Sequence, residues 1–215
     1  QAGPLQADLS GKEQITGTAR FSANLSASGQ HQQALMQSLG GKLDFAFLDG
    51  AVKGFNLARM VRETKAQLKG QPLPPDDQPN QTDFSELTGS AVISNGVLVN
   101  QDLLAKSPFL RVTGEGEADL PARQLDYTVK AVVVSTEKGQ GGEGLEELKG
   151  VPIPVRLRGP FSDIDYQVDI KTVLVETQGA KIDQQIDSKL DKALGDKVDD
   201  QTKDQVKGLL KGFLR

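Results

Sequence analysis

The chain has 215 residues, a formal net charge of −4 and no cysteine. The acidic balance argues against a nucleic-acid-binding surface, and the lack of cysteine excludes disulfides, thiolate metal sites and cysteine nucleophiles. Only 5% of the residues are aromatic, and no apolar run approaches the length of a membrane-spanning helix, so we expect a folded chain with a thin core. Because the chain begins at Gln1 rather than Met, we interpret it as a piece or a processed product of a longer protein.

Most of the chain up to residue 170 alternates apolar and polar side chains, a pattern that predicts strands with one apolar and one polar face. Asp49-Gly50 and Asn95-Gly96 have the composition of tight hairpin turns, so neighbouring strands are expected to pair antiparallel. The sequence therefore predicts a mainly β fold built as an antiparallel meander. About ten strands are expected, at residues 5–9, 15–25, 43–47, 51–55, 90–93, 97–103, 110–120, 125–135, 151–158 and 164–170.

Two short helices are predicted among the strands. Residues 32–39 contain apolar residues at helical spacing and end at a pair of glycines. Residues 57–69 follow Asn56, which is a favourable N-cap residue. The Pro-rich residues 71–81 after them predict a solvated loop rather than a packed element.

After about residue 170 the apolar residues recur at every fourth position, which predicts a long amphipathic C-terminal helix. We therefore expect a β-domain at 1–170 and a helical segment at 171–215. Basic and apolar residues alternate near the end of this segment, a composition typical of helices that lie on anionic membrane surfaces. The alternative is that the segment packs over the sheet or forms a charged tail. The candidate membrane contacts are Lys207, Leu209, Leu210, Lys211, Phe213 and Arg215.

Local patterns that could indicate chemistry lack the context that the chemistry needs. Residues 139–144 match G-x-G-x-x-G, but no long helix follows to bind a pyrophosphate, and residues 135–138 match S-x-x-K without a partner motif. The aspartates between 163 and 169 alternate along a strand and lack the turn glycine of a calcium loop. His31 is the single histidine, with no second ligand or nucleophile near it in the sequence. We therefore expect no enzymatic activity, no metal and no cofactor.

A series of short segments carries a family resemblance through its order and spacing. The segments include DGAVKGFNL at 49–57, TDFSELTGS at 82–90 and VPIPV at 151–155, with residues 43–45, 94–97, 106–108, 112–116, 119–121, 125–127 and 159–161. In this order they resemble the C-terminal region of the AsmA family. The resemblance covers roughly residues 11–170.

The resemblance implies a bacterial envelope protein that is anchored in the inner membrane and carries a long periplasmic β-structure. Such proteins are similar to the chorein-like bridge lipid transporters, in which an elongated, curved sheet forms a groove that shields acyl chains. Their role is linked to phospholipid supply and outer-membrane integrity. The partners implied are phospholipid acyl chains, the membrane surface and other envelope proteins, and no catalytic residues are implied.

The apolar face of the sheet is the candidate functional surface, and its small residues Ala23, Gly114, Gly116, Ala118 and Ala131 are expected to leave room for an acyl chain. The alternative is a structural or interaction module, supporting outer-membrane protein assembly, whose own helices at 32–39, 57–69 and 172–213 close the sheet. The candidate groove lining is Phe21, Leu25, Phe45, Phe47, Leu110, Val112, Tyr127, Val129, Val133, Val155, Leu157, Tyr166 and Val168.

Overall fold

The computed structural model of the chain describes residues 14–73, 79–136 and 145–179. The chain divides into two compact units, residues 1–173 and 174–215. Several predictions lie outside the described residues: the strand at 5–9, part of the Pro-rich loop at 74–78, the glycine-rich segment at 139–144, most of the C-terminal helix and all the candidate membrane contacts between 207 and 215.

Eight strands form one sheet in the described part of the chain, and each strand pairs antiparallel with the next. The order in the sheet is the order in the chain, and β1 and β8 are its edges. The predicted mainly β, antiparallel fold is confirmed, with eight described strands rather than about ten. The strands are β1 (Thr18–Ser26), β2 (Gly40–Lys53), β3 (Gln81–Ser94), β4 (Val97–Lys106), β5 (Leu110–Asp119), β6 (Gln124–Val133), β7 (Pro152–Pro160) and β8 (Asp165–Val168).

The two predicted tight turns have different outcomes. Asn95 and Gly96 adopt positive φ angles of 50° and 78° and connect β3 to β4, as a two-residue hairpin turn requires. The predicted hairpin at Asp49-Gly50 is wrong, because β2 continues through it and its last residues pair with the start of β3. Asp49 still has a positive φ of 50°, but here the left-handed residue lies within a strand. Two predicted strands, at 43–47 and 51–55, are therefore one.

Two α-helices accompany the sheet, α1 (Gln32–Ser38) and α2 (Leu57–Leu68), and both were predicted. His31 is the N-cap of α1, where its Nδ1 accepts a hydrogen bond from the Ala34 backbone N–H at 3.2 Å. The lone histidine therefore has a local structural role. Asn56 caps α2 in the same way, and its side chain accepts from the Arg59 N–H at 2.8 Å.

Two shorter helical segments follow, a 3-10 helix (Glu146–Leu148) and a helix that begins at Ile170. The predicted strand 164–170 ends earlier than expected, at Val168. The reason is Asp169, whose carboxylate accepts from the Thr172 backbone N–H at 3.1 Å and from its hydroxyl at 2.7 Å. These hydrogen bonds lower the pKa of Asp169, and they start a helix where alternation alone predicts a continued strand.

The core lies on the apolar face of the sheet, at the end where β5 and β7 begin. Leu110, Val133 and Ile153 are almost completely buried there. A single sheet is one layer, so other elements must cover these side chains. Among the described residues, the buried apolar side chains outside the strands are Leu57, Met60, Val61 and Ala66 of α2, with Phe109, Leu145, Leu148, Val151 and Val173.

Helix α2 is the largest of these covering elements, and contacts at both of its ends hold it to the rest of the first unit. The Leu57 N–H donates to the Thr82 hydroxyl of β3 at 2.9 Å. Just beyond the other end, Lys69 forms an ion pair of 2.8 Å with Glu147 of the 3-10 helix. The apolar side of α2 therefore faces the core of the sheet.

The sheet curves toward its apolar face. The Phe55 carbonyl accepts from the Thr82 hydroxyl at 2.6 Å, which places Phe55 beside the start of β3. The Phe55 ring nevertheless contacts the Tyr166 ring of β8, with 6.1 Å between the ring centroids. Five strand spacings separate β3 from β8, or ~24 Å in a flat sheet, which is more than two aromatic side chains can bridge. The two sides of the sheet therefore approach each other over the apolar face.

Candidate functional site

The strand register places the candidate lining residues on one face of the sheet. Residues directly opposite each other in paired strands share a face. Phe21 lies opposite Phe45, Leu110 opposite Val133, and Val129 opposite Val155. The series continues from Tyr127 to Leu157 and on to Tyr166. The candidate residues thus share one face of the sheet, in one group on β1 and β2 and another on β5 to β8.

This face has two regions that differ in burial. The covered region, which lies toward α2 and the 3-10 helix, contains five candidate residues that are already buried in the core of the protein: Leu110, Val112, Val129, Val133 and Val155. Phe47 is buried as well, but in a separate cluster with Phe84, beside the open region. The open region retains solvent exposure, which reaches 53% at Phe21, 44% at Leu25 and 54% at Tyr166. Its remaining members are the half-buried Phe45, Tyr127, Leu157 and Val168. Helix α1 contributes no buried residue to this face.

Aromatic side chains form the β1–β2 part of the open region. The Phe21 and Phe47 rings meet edge to face with centroids 5.4 Å apart, and the Phe45 and Phe47 centroids are 6.0 Å apart. Phe45 also lies against Gly89 of β3, where a Cβ would come within 2.7 Å of the Phe45 Cζ. Offset and edge-to-face contacts of this kind stabilise aromatic clusters. The exposed Phe21 ring is therefore held by its neighbours and presents a defined apolar surface.

The expectation that small residues leave room for a ligand is wrong at three positions. A Cβ at Gly114 would lie 2.8 Å from the Tyr127 Cε1, and one at Gly116 would lie 2.7 Å from the Tyr127 Cδ2. The Tyr127 ring thus fills the space above both glycines. Ala131 has no exposed surface. The small residues at 114, 116 and 131 make room for neighbouring side chains of the protein itself. The sequence does not reveal this, because the neighbours lie on other strands.

A polar network interrupts the apolar face at Asn100 of β4, which is only 3% exposed. The Tyr127 hydroxyl donates to the Asn100 Oδ1, and the Asn100 Nδ2 donates to the Ser90 carbonyl at 2.6 Å. Asp102 accepts from the Ser90 backbone N–H at 2.7 Å and from its hydroxyl at 2.7 Å. The pairing of β4 with both neighbouring strands shifts register next to these residues. At the register shift the Ser90 N–H has no backbone partner in the neighbouring strand, and the Asp102 carboxylate accepts its hydrogen bond instead.

The pKa shifts of this network are those of groups that stabilise the fold, not of groups prepared for catalysis. Burial, followed by the charges of Asp102 and Glu115, raises the pKa of Tyr127. The Ser90 backbone hydrogen bond is the main reason that the pKa of Asp102 is lowered. A neutral phenol and an ionised carboxylate are the forms in which both groups already make their observed bonds. The sequence analysis missed this network, although the break in alternation at residues 100–102 marks its position.

The polar face carries a charged cluster on β6 and β7. Asp126 accepts hydrogen bonds from Arg156, at 3.1 Å, and from Arg158, at 2.7 Å. Hydrogen bonds from Arg158 and then Arg156 hold the pKa of Asp126 well below its ordinary range. Two shallow hollows of about 280 and 350 Å³ lie along β4–β7 and share Gln101, Glu115 and Thr128. In the described residues no group of three or more His, Cys, Asp or Glu side chains is arranged to hold a metal.

Replacing both Arg156 and Arg158 by glutamine is expected to raise the pKa of Asp126 toward its ordinary value, because the donors that favour the carboxylate are removed. In the intact protein the lowered pKa favours folding above the pKa of the unfolded carboxyl, and this contribution is lost as pH falls through the folded pKa. A carbon-13 NMR titration of the carboxyl groups measures the shift. Asp169, which is held by Thr172, is the internal control and should titrate unchanged. An Asp126 titration that is identical in both proteins would contradict the assignment.

Comparison with known proteins identifies the relatives of this chain. The model of the AsmA family matches residues 1–103. Protein AsmA of Escherichia coli (strain K12) is 24% identical over 162 residues, which cover 74% of this chain and 26% of the relative. The resemblance to the AsmA family is confirmed. The chain spans about a quarter of the length of the E. coli relative. No solved structure matches the chain.

The helices of the described residues bear on whether the chain can span a membrane. In the described parts of the AsmA-like chain, no helix is both long and apolar enough to span a bilayer.

Proposed function

We propose that this chain is a non-catalytic β-groove segment of an envelope protein, which shields phospholipid acyl chains during transport to and maintenance of the outer membrane. The similarity to Protein AsmA and to the AsmA family supports an envelope-associated role. The observation that carries the lipid proposal is the open region, an apolar surface on the inner side of a curved sheet that is interrupted only by the Asn100 network among the described residues. Such a surface is the part of the molecule that an apolar ligand would bind.

The chemistry of the open region suits an acyl chain better than a polar substrate. Burial of a hydrocarbon chain contributes ~0.8 kcal/mol per CH₂ group and needs no directional partner. The side chains of Phe21, Leu25 and Leu157 are apolar and at least partly exposed, so they offer a ligand hydrocarbon surface rather than charge. Two polar groups on this face, the Asn100 side chain and the Tyr127 hydroxyl, already bond to each other. A ligand here would therefore be selected for its apolar surface and its width.

The proposal treats the chain as non-catalytic for reasons of chemistry. The lowered pKa values of Asp102, Asp126 and Asp169 come mainly from hydrogen bonds that hold a strand, a charge cluster and the start of a helix. The raised pKa of Tyr127 comes mainly from burial. His31 is exposed and caps α1. None of these groups lies beside an activated nucleophile in the described contacts, so binding is the function that the geometry supports best.

A site-specific photocrosslinker tests the lipid proposal in cells. Benzoylphenylalanine at Phe21 or Leu157 is expected to form adducts with labelled phospholipid, because both positions face the open region. The matched control is the same group at Ser22, which neighbours Phe21 in β1 but lies on the opposite face. The proposal fails if no position of the open region gives a lipid adduct, or if Ser22 is labelled as strongly as Phe21.

A second candidate function is a structural module that supports outer-membrane protein assembly. The covered region favours it, because α2 and the 3-10 helix already occupy that part of the apolar face. The same crosslinker distinguishes the two functions: adducts of Phe21 with an envelope protein, in place of lipid, would favour the module.

The proposal extends to the membrane through the C-terminal residues outside the described part of the chain. Replacing Lys207, Lys211 and Arg215 by glutamine is expected to reduce co-sedimentation with vesicles of phosphatidylethanolamine and phosphatidylglycerol, since each basic residue near an anionic surface contributes about 1 kcal/mol. Replacing Lys42, Lys106 and Lys130 of the sheet is the charge-matched control. Equal losses in both variants would argue against contact through the C-terminal residues.

A further inference from the structure

One cross-strand row crosses the apolar face through Tyr127, and we call it the tyrosine row. The register places Asn100 opposite Gly116, Gly116 opposite Tyr127, and Tyr127 opposite Leu157, which in turn lies opposite Tyr166. Residues opposite each other in paired strands share a face, so the row connects the Asn100 network to the exposed Tyr166. A ligand on the β6–β8 part of the open region would therefore contact this row.

The Tyr127 ring lies across β5 instead of standing upright on the sheet. Strand side chains ordinarily stand roughly perpendicular to the sheet. The Tyr127 hydroxyl, however, donates to the Asn100 Oδ1, so a side chain of β6 reaches a side chain of β4 over the strand between them. The ring rests on Gly114 and Gly116, and Tyr127 remains half-buried rather than covered. One face of the ring therefore packs on the sheet, and the other is on the side where a ligand would bind.

Two further hydrogen bonds fix the group that holds the ring. The Asn100 Nδ2 donates to the Ser90 carbonyl at 2.6 Å and to the Asp102 Oδ1 at 2.7 Å. Both donor positions of the amide are thus occupied by acceptors, which leaves the Asn100 Oδ1 to accept from the Tyr127 hydroxyl. Burial raises the pKa of Tyr127, so the phenol keeps the proton that it donates. The ring is therefore held at a fixed height above β5.

The other end of the tyrosine row lies where the two sides of the sheet approach each other. Tyr166 is the β8 member of the row, and its ring is the one that Phe55 contacts, with 6.1 Å between the ring centroids. Phe55 lies beside the start of β3, so this contact brings the far side of the sheet to the row. A ligand at this position would be bounded by the Tyr127 ring beneath it and by the Phe55–Tyr166 pair at the β8 end.

We propose that Tyr127 is a specificity-determining residue, whose flat ring admits a straight acyl chain to the open region and disfavours a methyl-branched one. The inference rests on the proposed lipid-shielding function and specifies its ligand. A straight chain lies in contact along the ring, whereas each methyl branch holds the chain away from it. One additional carbon that a hydrophobic site cannot accommodate changes binding by about tenfold or more, which sets the size of the expected preference.

Competition between two phosphatidylethanolamines tests the proposal. Dipalmitoyl phosphatidylethanolamine has straight chains, and diphytanoyl phosphatidylethanolamine has the same headgroup and chain length with methyl branches. The whole chain is mixed with equal amounts of both in detergent micelles, and native mass spectrometry measures the ratio of the two complexes. The intact protein is expected to favour the straight-chain lipid by about tenfold. Tyr127→Ala should bring the ratio close to one, because it opens the space above Gly114 and Gly116.

Gly114→Ala changes the same space in the opposite direction and supplies a second variant if Tyr127→Ala does not fold. A Cβ at Gly114 would lie 2.8 Å from the Tyr127 Cε1 and 2.8 Å from the Leu103 Cδ2. The end of the Leu103 side chain can rotate away, but the tethered ring can only be lifted from the sheet. Both lipids are therefore expected to bind several-fold more weakly to the Gly114→Ala protein, whose fold is checked by circular dichroism.

The outcomes separate this proposal from the lipid function on which it rests. If the intact protein binds both lipids equally, or if Tyr127→Ala weakens both at an unchanged ratio, Tyr127 does not determine specificity and the proposal is overturned, while the lipid function stands. A folded Gly114→Ala protein that binds both lipids as tightly as the intact protein would also contradict it. If the intact protein binds neither lipid, the lipid function itself is overturned, and the role of Tyr127 with it.

Discussion

Replacing Ile153 by alanine is expected to lower the free energy of unfolding by about 2–5 kcal/mol, the range for a large aliphatic side chain removed from a packed core. Ile153 has no exposed surface and lies opposite Ala131, which is equally buried. The small neighbour cannot expand to fill the vacated space, so a cavity should remain. Because the chain contains no tryptophan, urea denaturation is best followed by circular dichroism.

The control for this prediction is Val92→Ala in β3. Val92 is 53% exposed on the polar face, so its truncation should change the free energy of unfolding by less than about 0.5 kcal/mol. A small effect of Ile153→Ala, comparable with that of Val92→Ala, would mean that the covered region is not a packed core. In that case more of the apolar face than the open region would be accessible to a ligand.

Replacing Asn100 by alanine is expected to cost about 2–4 kcal/mol, because one side chain satisfies several partners in a buried site. The substitution would leave the Ser90 carbonyl and the Tyr127 hydroxyl without their Asn100 partner and would remove the 2.7 Å bond from the Asn100 Nδ2 to Asp102. Circular dichroism in urea again measures the loss. The expected cost is large for a polar residue because water cannot easily reach a position with 3% exposure.

Tyr127→Phe is the comparison that isolates one bond of the network. It removes the hydroxyl but keeps the ring over Gly114 and Gly116, so we expect a loss of only about 1 kcal/mol. Gln101→Ala, at the exposed neighbour of Asn100, should have little effect. If Asn100→Ala were as mild as Gln101→Ala, the network would not stabilise the register shift of β4.

Local features of the sequence were sufficient for much of the fold. Alternation predicted the antiparallel strands, Asn95-Gly96 predicted a hairpin, and Asn56 predicted the start of α2. Asp49-Gly50 misled because a hairpin and a left-handed residue within a strand both require positive φ, and the same residue types satisfy both. What decides between them is the pairing of residues 51–53 with β3, which is a long-range contact.

The sequence was sufficient to predict which residues share the apolar face of the sheet. It did not predict which of them are buried in the covered region and which are exposed in the open region. Register follows from alternation, so residues such as Phe21 and Leu110 could be placed on the same side of the sheet. Their different exposure depends on α2 and on curvature, neither of which alternation encodes. Tyr127 illustrates the same limit, since only the folded sheet shows that its ring fills the space above Gly114 and Gly116.

The sequential strand order limits how the number of strands in such a sheet can change. Each strand pairs only with its neighbours in the chain, so removing the hairpin β5–β6 would leave β4 beside β7 with their antiparallel directions preserved. Removal of a single strand would instead place two parallel strands side by side and would need a crossover. Insertions and deletions that keep this architecture should therefore come in pairs of strands, each pair changing the width of the apolar face by ~10 Å.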